Sequence, residues 1–139
     1  MERFRDIAEF RSAAFEPALS EDCQVNPRVY GAELAFWLCT RLAASGVMTS
    51  YPSWEDWGWY LDYGTASGSD FAVHCGNVDG SRDRWMLSIR RIGRGFLWRQ
   101  TPTFSEAEPL IRALETIVRE EPSVSELKWM WSSSENGSG

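Results

Sequence analysis

Lysine is nearly absent from this chain: one, Lys128, stands against thirteen arginines in 139 residues. Histidine occurs once, as His74. The three cysteines, Cys23, Cys39 and Cys75, lie far apart with no C-x-x-C pair, which excludes a zinc ribbon and a thioredoxin-type redox motif. A Cys₃His set including His74 can be counted, but no ligand spacing supports it. Reduced and mostly buried thiols are the ordinary reading. No stretch approaches the ~18 consecutive apolar residues of a membrane span. Met1 to Phe10 is charged throughout and lacks the apolar centre of a secretory signal, so a cytoplasmic protein is expected. Gly64, Gly68, Gly76 and Gly80 fit neither the phosphate loop nor the dinucleotide fingerprint. H-E-x-x-H, a calcium loop and G-x-S-x-G are all missing. The chain therefore leans away from an enzyme, and nothing in it asks for a cofactor or a metal.

What is present begins with acid. Twenty Asp and Glu outweigh fourteen Lys and Arg, for a formal charge of −6. That balance disfavours a general nucleic-acid coat, which needs a basic surface. The apolar fraction of 43% is enough for one packed core, so residues 1–131 read as a single domain and 132–139 as a flexible polar tail. Eight tryptophans are far above ordinary use. Each buries a large area but wants a partner for its N–H, so some belong to the core and some to a surface.

Hydrophobic periodicity supplies the elements. Residues 7–16 fit a strand or a short helix, with strand preferred, and 17–25 read as a polar loop. Asn26 as N-cap and Pro27 at the first position open a helix over 27–45, with Leu34, Trp37, Leu38 and Leu42 as its stripe and Gly46 as its stop. Val47–Tyr51 reads as a short strand. Trp57, Trp59, Leu61 and Tyr63 alternate, as do Phe71, Val73 and Cys75, and then Trp85, Leu87 and Ile89. Asp79-Gly80 marks a hairpin turn, and Phe96–Arg99 returns as a further short strand. A second helix follows, with a Ser105/Glu108 capping box, Pro109 in its first turn, and Leu110, Ile111, Leu114 and Val118 on one face. Leu127, Trp129 and Trp131 alternate as a last strand. The fold class is α+β: a mostly antiparallel sheet of about four to six strands with two amphipathic helices packed on one face.

Asn26-Pro27, Tyr30-Gly31, Trp37-Leu38 and Gly46, followed by Glu55-Asp56-Trp57-Gly58-Trp59, resemble a group of small stand-alone bacterial proteins with an E-D-W-G-W core. The resemblance covers residues 7–60 well and the following meander loosely. It carries over no catalytic residue. Size, acidity and stand-alone form are also loosely similar to toxin-immunity proteins, which implies a protein partner of the toxin class.

Three places deserve weighing as sites. Residues 51–70 hold four acids and no base. Trp54 to Tyr60 can be the start of a strand with Trp57 and Trp59 in the core. The alternative to that plainer reading is an acidic, aromatic rim for a basic partner, with Trp54 as anchor and Glu55, Asp56, Tyr60 and Asp62 as contacts. Adjacent acids on a strand point apart, which argues against paired-carboxylate catalysis by Glu55 and Asp56. His74 faces away from Phe71, Val73 and Cys75, with Asp62 as a candidate neighbour, and reads as structural or exposed. Residues 81–100 hold six arginines against one acid. Pairing with the acids of the second helix and of 51–70 is the plain reading; His74, Arg90, Arg91, Trp98 and Arg99 form an alternative small-molecule or single-strand binding face. The expectation that results is a non-enzymatic protein-binding module, an immunity-type inhibitor, monomeric or weakly dimeric, with no membrane contact.

Overall fold

In the computed structural model, which describes residues 7–24, 26–92 and 104–130, the alternating segments pair into one antiparallel sheet. The elements are β1 (Ile7–Arg11), α1 (Ala32–Ala44), β2 (Ser53–Glu55), β3 (Gly58–Gly64), β4 (Asp70–Asn77), β5 (Arg84–Ile92), α2 (Glu108–Glu120) and β6 (Ser125–Met130). The strand order is β2-β3-β4-β5-β1-β6, so β1 enters between the meander and the final strand. This is the α+β arrangement expected from the periodicity. No helix among the described residues is long and apolar enough to cross a membrane.

Register decides which face each side chain occupies. Trp59 stands opposite Cys75, Leu61 opposite Val73, and Val73 opposite Ile89. Ala8 and Phe10 of β1 stand opposite Leu87 and Trp85. All of these point to the side where α1 sets Leu34, Leu38 and Leu42, and α2 sets Leu110, Ile111, Leu114 and Val118, in one continuous core. Trp85 is wholly buried there and donates its Nε1–H to the Ser12 carbonyl at 3.1 Å. The opposite face, with Tyr60, His74, Ser88 and Arg90, carries no helix among the described residues.

Several expectations shift. The first helix begins at Ala32, and Asn26 is not its cap. Asn26 instead donates its side-chain amide to the Asp56 carbonyl, and Arg28 adopts a φ of 64°. The cause is Asn77, whose side chain accepts from the Tyr30 N–H and donates to the Arg28 carbonyl, holding residues 26–31 as a turn against the β4–β5 hairpin. The other end behaves as expected: Gly46 takes φ 85°, and Val47 N–H returns to the Leu42 carbonyl, a Schellman closure. Val47–Tyr51 is no strand, although Ser50 N–H does reach the Asp62 carbonyl beside β3. The first strand stops at Arg11, because Ser12 Oγ accepts from the Ala14 N–H and turns the chain so that Phe15 enters the core. The second helix starts at Glu108 after a 3₁₀ turn, Phe104–Ala107, which takes Glu108 out of the capping-box position. The hairpin turn is as expected, with Asp79 at φ 53° and Gly80 at φ 72°. Phe96–Arg99 and Trp131 lie outside the described residues.

Candidate functional site

The E-D-W-G-W pentapeptide is a hairpin. Glu55 ends β2 and pairs with Gly58, the first residue of β3, leaving Asp56-Trp57 as a two-residue turn. Gly58 closes that turn at φ 137°, a conformation side-chain-bearing residues rarely adopt. A Cβ there would stand 3.2 Å from His74 Nε2, and one on Gly76 would stand at the same distance. Two glycines therefore make room for one imidazole on the outer face of the sheet. The Trp57 ring closes over it edge-on, with centroids 4.6 Å apart and planes at 90°. Tyr60 lies 5.5 Å from the same indole, and the Arg90 guanidinium stands 5.7 Å from its ring centre.

His74 is held neutral. Burial first, and the Arg90 guanidinium second, push its imidazole from 6.5 down to about 4, against a hydrogen bond to the Trp57 backbone. Asp62 is not its partner: Tyr60 stands opposite His74, and Asp62 opposite Ala72. Its Nε2 is buried and finds no hydrogen bond among the described residues. The sign of the pH effect follows. Folding binds less proton than unfolding between pH 6.5 and about 4, so His74 weakens the fold as pH falls through that window. The expected loss is on the order of 2 kcal/mol after allowing for the ring's partial exposure. Urea unfolding of wild type and His74→Gln at pH 7 and pH 4.5 checks it: the gap between the two proteins should change in favour of the variant at the lower pH.

Beside this cluster lies a cleft of about 690 Å³. Glu55, Trp57, Tyr60, Asp62, Asp70 and Arg90 contribute to its walls, and Ala72 to its floor. Tyr51, 83% exposed, and Met48, 69% exposed, extend the apolar surface nearby. Of the five residues expected to make contacts, the structure brings three together on this face: Glu55, Tyr60 and Asp62. Trp54 stands opposite Trp59 and so faces the helix side, at 59% exposure, and Asp56 is in the turn. Trp57, expected in the core, is 48% exposed and stands where the anchor was sought. The reason is the turn: an alternation counted straight through Asp56-Trp57 puts Trp57 on the inner face with Trp59, whereas the chain reverses at that dipeptide. Trp59 does pack against the core, half-buried.

The arginine-rich segment divides. Arg90 points to the cleft, and Arg91, opposite Phe71, takes the other side of β5. Arg82 forms a clamp instead of pairing with the second helix: it reaches Glu16 and Glu21 at 3.6 and 3.8 Å and stacks over Tyr30. The Tyr30 hydroxyl donates to Glu21, which holds that carboxyl below its ordinary range. Glu108 and Glu115 take Arg112 and Arg119 of their own helix. Trp98 and Arg99 lie outside the described residues. Cys75 is buried, which pushes its thiol up, and among the described residues no group of His, Cys, Asp and Glu could hold a metal ion.

Comparison with protein-family models, curated proteins and solved structures finds no match to this chain. The functional reading therefore rests on the geometry of the site.

Proposed function

We propose that the chain is a protein-binding module, acting as an immunity-type inhibitor in a bacterial cytoplasm, that docks a partner on the acidic, aromatic cleft of its open sheet face. The observation that carries this reading is the convergence of Glu55, Tyr60 and Asp62 with the exposed Trp57 indole on a face that no helix covers among the described residues. Aromatic anchors supply contact area, and carboxylates steer a basic partner and fix its orientation. A reaction centre finds less support: His74 is the one imidazole in the chain, and the Trp57 ring caps it edge-on.

The test is affinity capture from host lysate with wild type and the Glu55→Ala/Asp56→Ala double variant, followed by titration of the captured protein. Glu55 and Asp56 are both exposed, so the variant should keep its melting temperature. The expected outcome is one stoichiometric protein partner whose affinity drops about tenfold or more in the variant. An unfolded variant would make the acids structural, and unchanged affinity would remove this surface from the interface.

A second reading has its own observation. The cleft volume falls within the range of small-molecule sites, and its mixture of apolar walls with a few charges suits such a ligand. A metabolite that copurifies and protects Trp57 would favour it.

A further inference from the structure

We infer that the cleft selects an extended, basic segment of the partner, seating two basic side chains four residues apart with the intervening side chain over Tyr60. The inference rests on the docking reading above and names the chemistry of the occupant.

The spacing comes from the register. Glu55 stands opposite Gly58, while Tyr60 and Asp62 follow on the same face of β3. From Gly58 to Asp62 is four residues of strand, or about 13 Å at roughly 3.3 Å per residue. An extended peptide lying along β3 has the same repeat. Its residue i+4 then falls over Asp62, i+2 over the Tyr60 ring, and i over Gly58, from which a long basic side chain reaches Glu55 one strand spacing, about 4.8 Å, to the side. One small ammonium or guanidinium ligand cannot satisfy both acids at that separation.

The charge pattern agrees. No ion pair among the described residues uses Glu55 or Asp62. Among the described residues no ion pair joins Arg90 to Asp62, although both stand in the cross-strand row Asp62–Ala72–Arg90. Two strand spacings separate those backbones by about 9.6 Å. The Arg90 guanidinium lies against Trp57 instead, which places a guanidinium on the cleft's own aromatic wall. That contact is an internal instance of the cation–π chemistry an incoming arginine would use.

Strand addition at the sheet edge is the competing way to hold a peptide. The geometry disfavours it: β2 is three residues long and follows Pro52, which has no N–H to give. A segment lying across the open face needs neither.

The experiment titrates the full chain with the acetylated, amidated peptide Arg-Thr-Val-Thr-Arg and follows the Trp57 indole N–H by NMR. The controls are the same peptide with both arginines replaced by glutamate, a version keeping one arginine, and acetylarginine amide. The expected result is a saturable shift at Trp57 with the two-arginine peptide, absent with the glutamate peptide. Affinity should fall about tenfold with the one-arginine peptide and by a similar factor in Asp62→Asn. Added salt should weaken it. No saturable shift, equal response to the glutamate peptide, or indifference to Asp62→Asn overturns the inference. Acetylarginine amide binding as tightly as the pentapeptide also overturns it, in favour of a small cation. The two proposals fail separately. If a captured partner depends on Glu55 and Asp56 while the basic peptide does not bind, docking stands and the basic segment falls. If the peptide binds while the captured partner ignores that double variant, the docking reading falls.

Discussion

Gly31→Ala is expected to destabilise the domain by about 3 to 5 kcal/mol. Two costs act at one atom. Gly31 has φ 151°, a conformation that strains a residue with a side chain. Its new Cβ would also meet the Cys75 carbonyl oxygen, closer than such atoms approach, with the Cys75 carbonyl carbon at 3.2 Å. Neither side is free to move. Gly31 is the N-cap of α1, and its carbonyl accepts the Ala35 N–H at 2.8 Å. Cys75 is locked in the ladder between Trp59 and Leu87. Relief would have to come from lifting α1 off the sheet, and that opens the layer filled by Leu34, Leu38 and Leu42. Urea unfolding should show the loss. Gly46→Ala separates the two costs, since Gly46 has φ 85° but a Cβ there meets nothing within 4 Å. It should cost about 1 kcal/mol. Equal losses at the two glycines would mean that the close approach of α1 to β4 carries no energy.

The sequence makes some of this visible and hides the rest for identifiable reasons. Period-two alternation within β3, β4 and β5, from Trp59 to Ile89, and the stripes of both helices follow from burial of one face, and burial of one face is what the fold provides. Gly46 and Asp79-Gly80 are local signals read by local geometry, and they hold. Asn26-Pro27 is just as local a signal and fails, because Asn77 captures the backbone of residues 28 and 30 from across the sheet. No single-chain pattern announces a contact between residues 47 positions apart. The candidate site was legible in composition and misplaced in detail. Glu55, Tyr60 and Asp62 can be read as a surface, but once the chain turns at Asp56-Trp57 the Trp57 ring moves to the outer face and Trp54, still exposed, to the helix side. A signal for this exists in the sequence. Gly58, three residues after Glu55, suits a tight turn better than the middle of a strand. Arg90 and the cleft itself depend on the pairing of β4 with β5, which alternation alone leaves open.

Two tryptophans that look alike in sequence should separate completely by experiment. Trp85→Ala is expected to cost about 3 to 5 kcal/mol of stability, the usual range for emptying a large aromatic site. The side chain has no exposed surface, donates to the Ser12 carbonyl, and meets the Phe15 ring edge-on at 6.4 Å. Its removal leaves a cavity at the junction of β1 and β5 and an orphaned carbonyl at Ser12, so little relaxation can offset the loss. Trp57→Ala removes a ring that is 48% exposed and seated on the outer face, and should cost about 1 kcal/mol or less. Its effect belongs to the cleft. Without the indole, the His74 ring gains water and Arg90 loses its stacking partner. The imidazole should then titrate closer to 6.5 than to the value of about 4 that burial imposes. Thermal unfolding and an NMR titration of His74 on the same two variants read both effects. A large stability loss in Trp57→Ala with an unmoved His74 would return Trp57 to the core. A small loss with a raised His74 would establish Trp57 as the wall that shields the imidazole from the cleft.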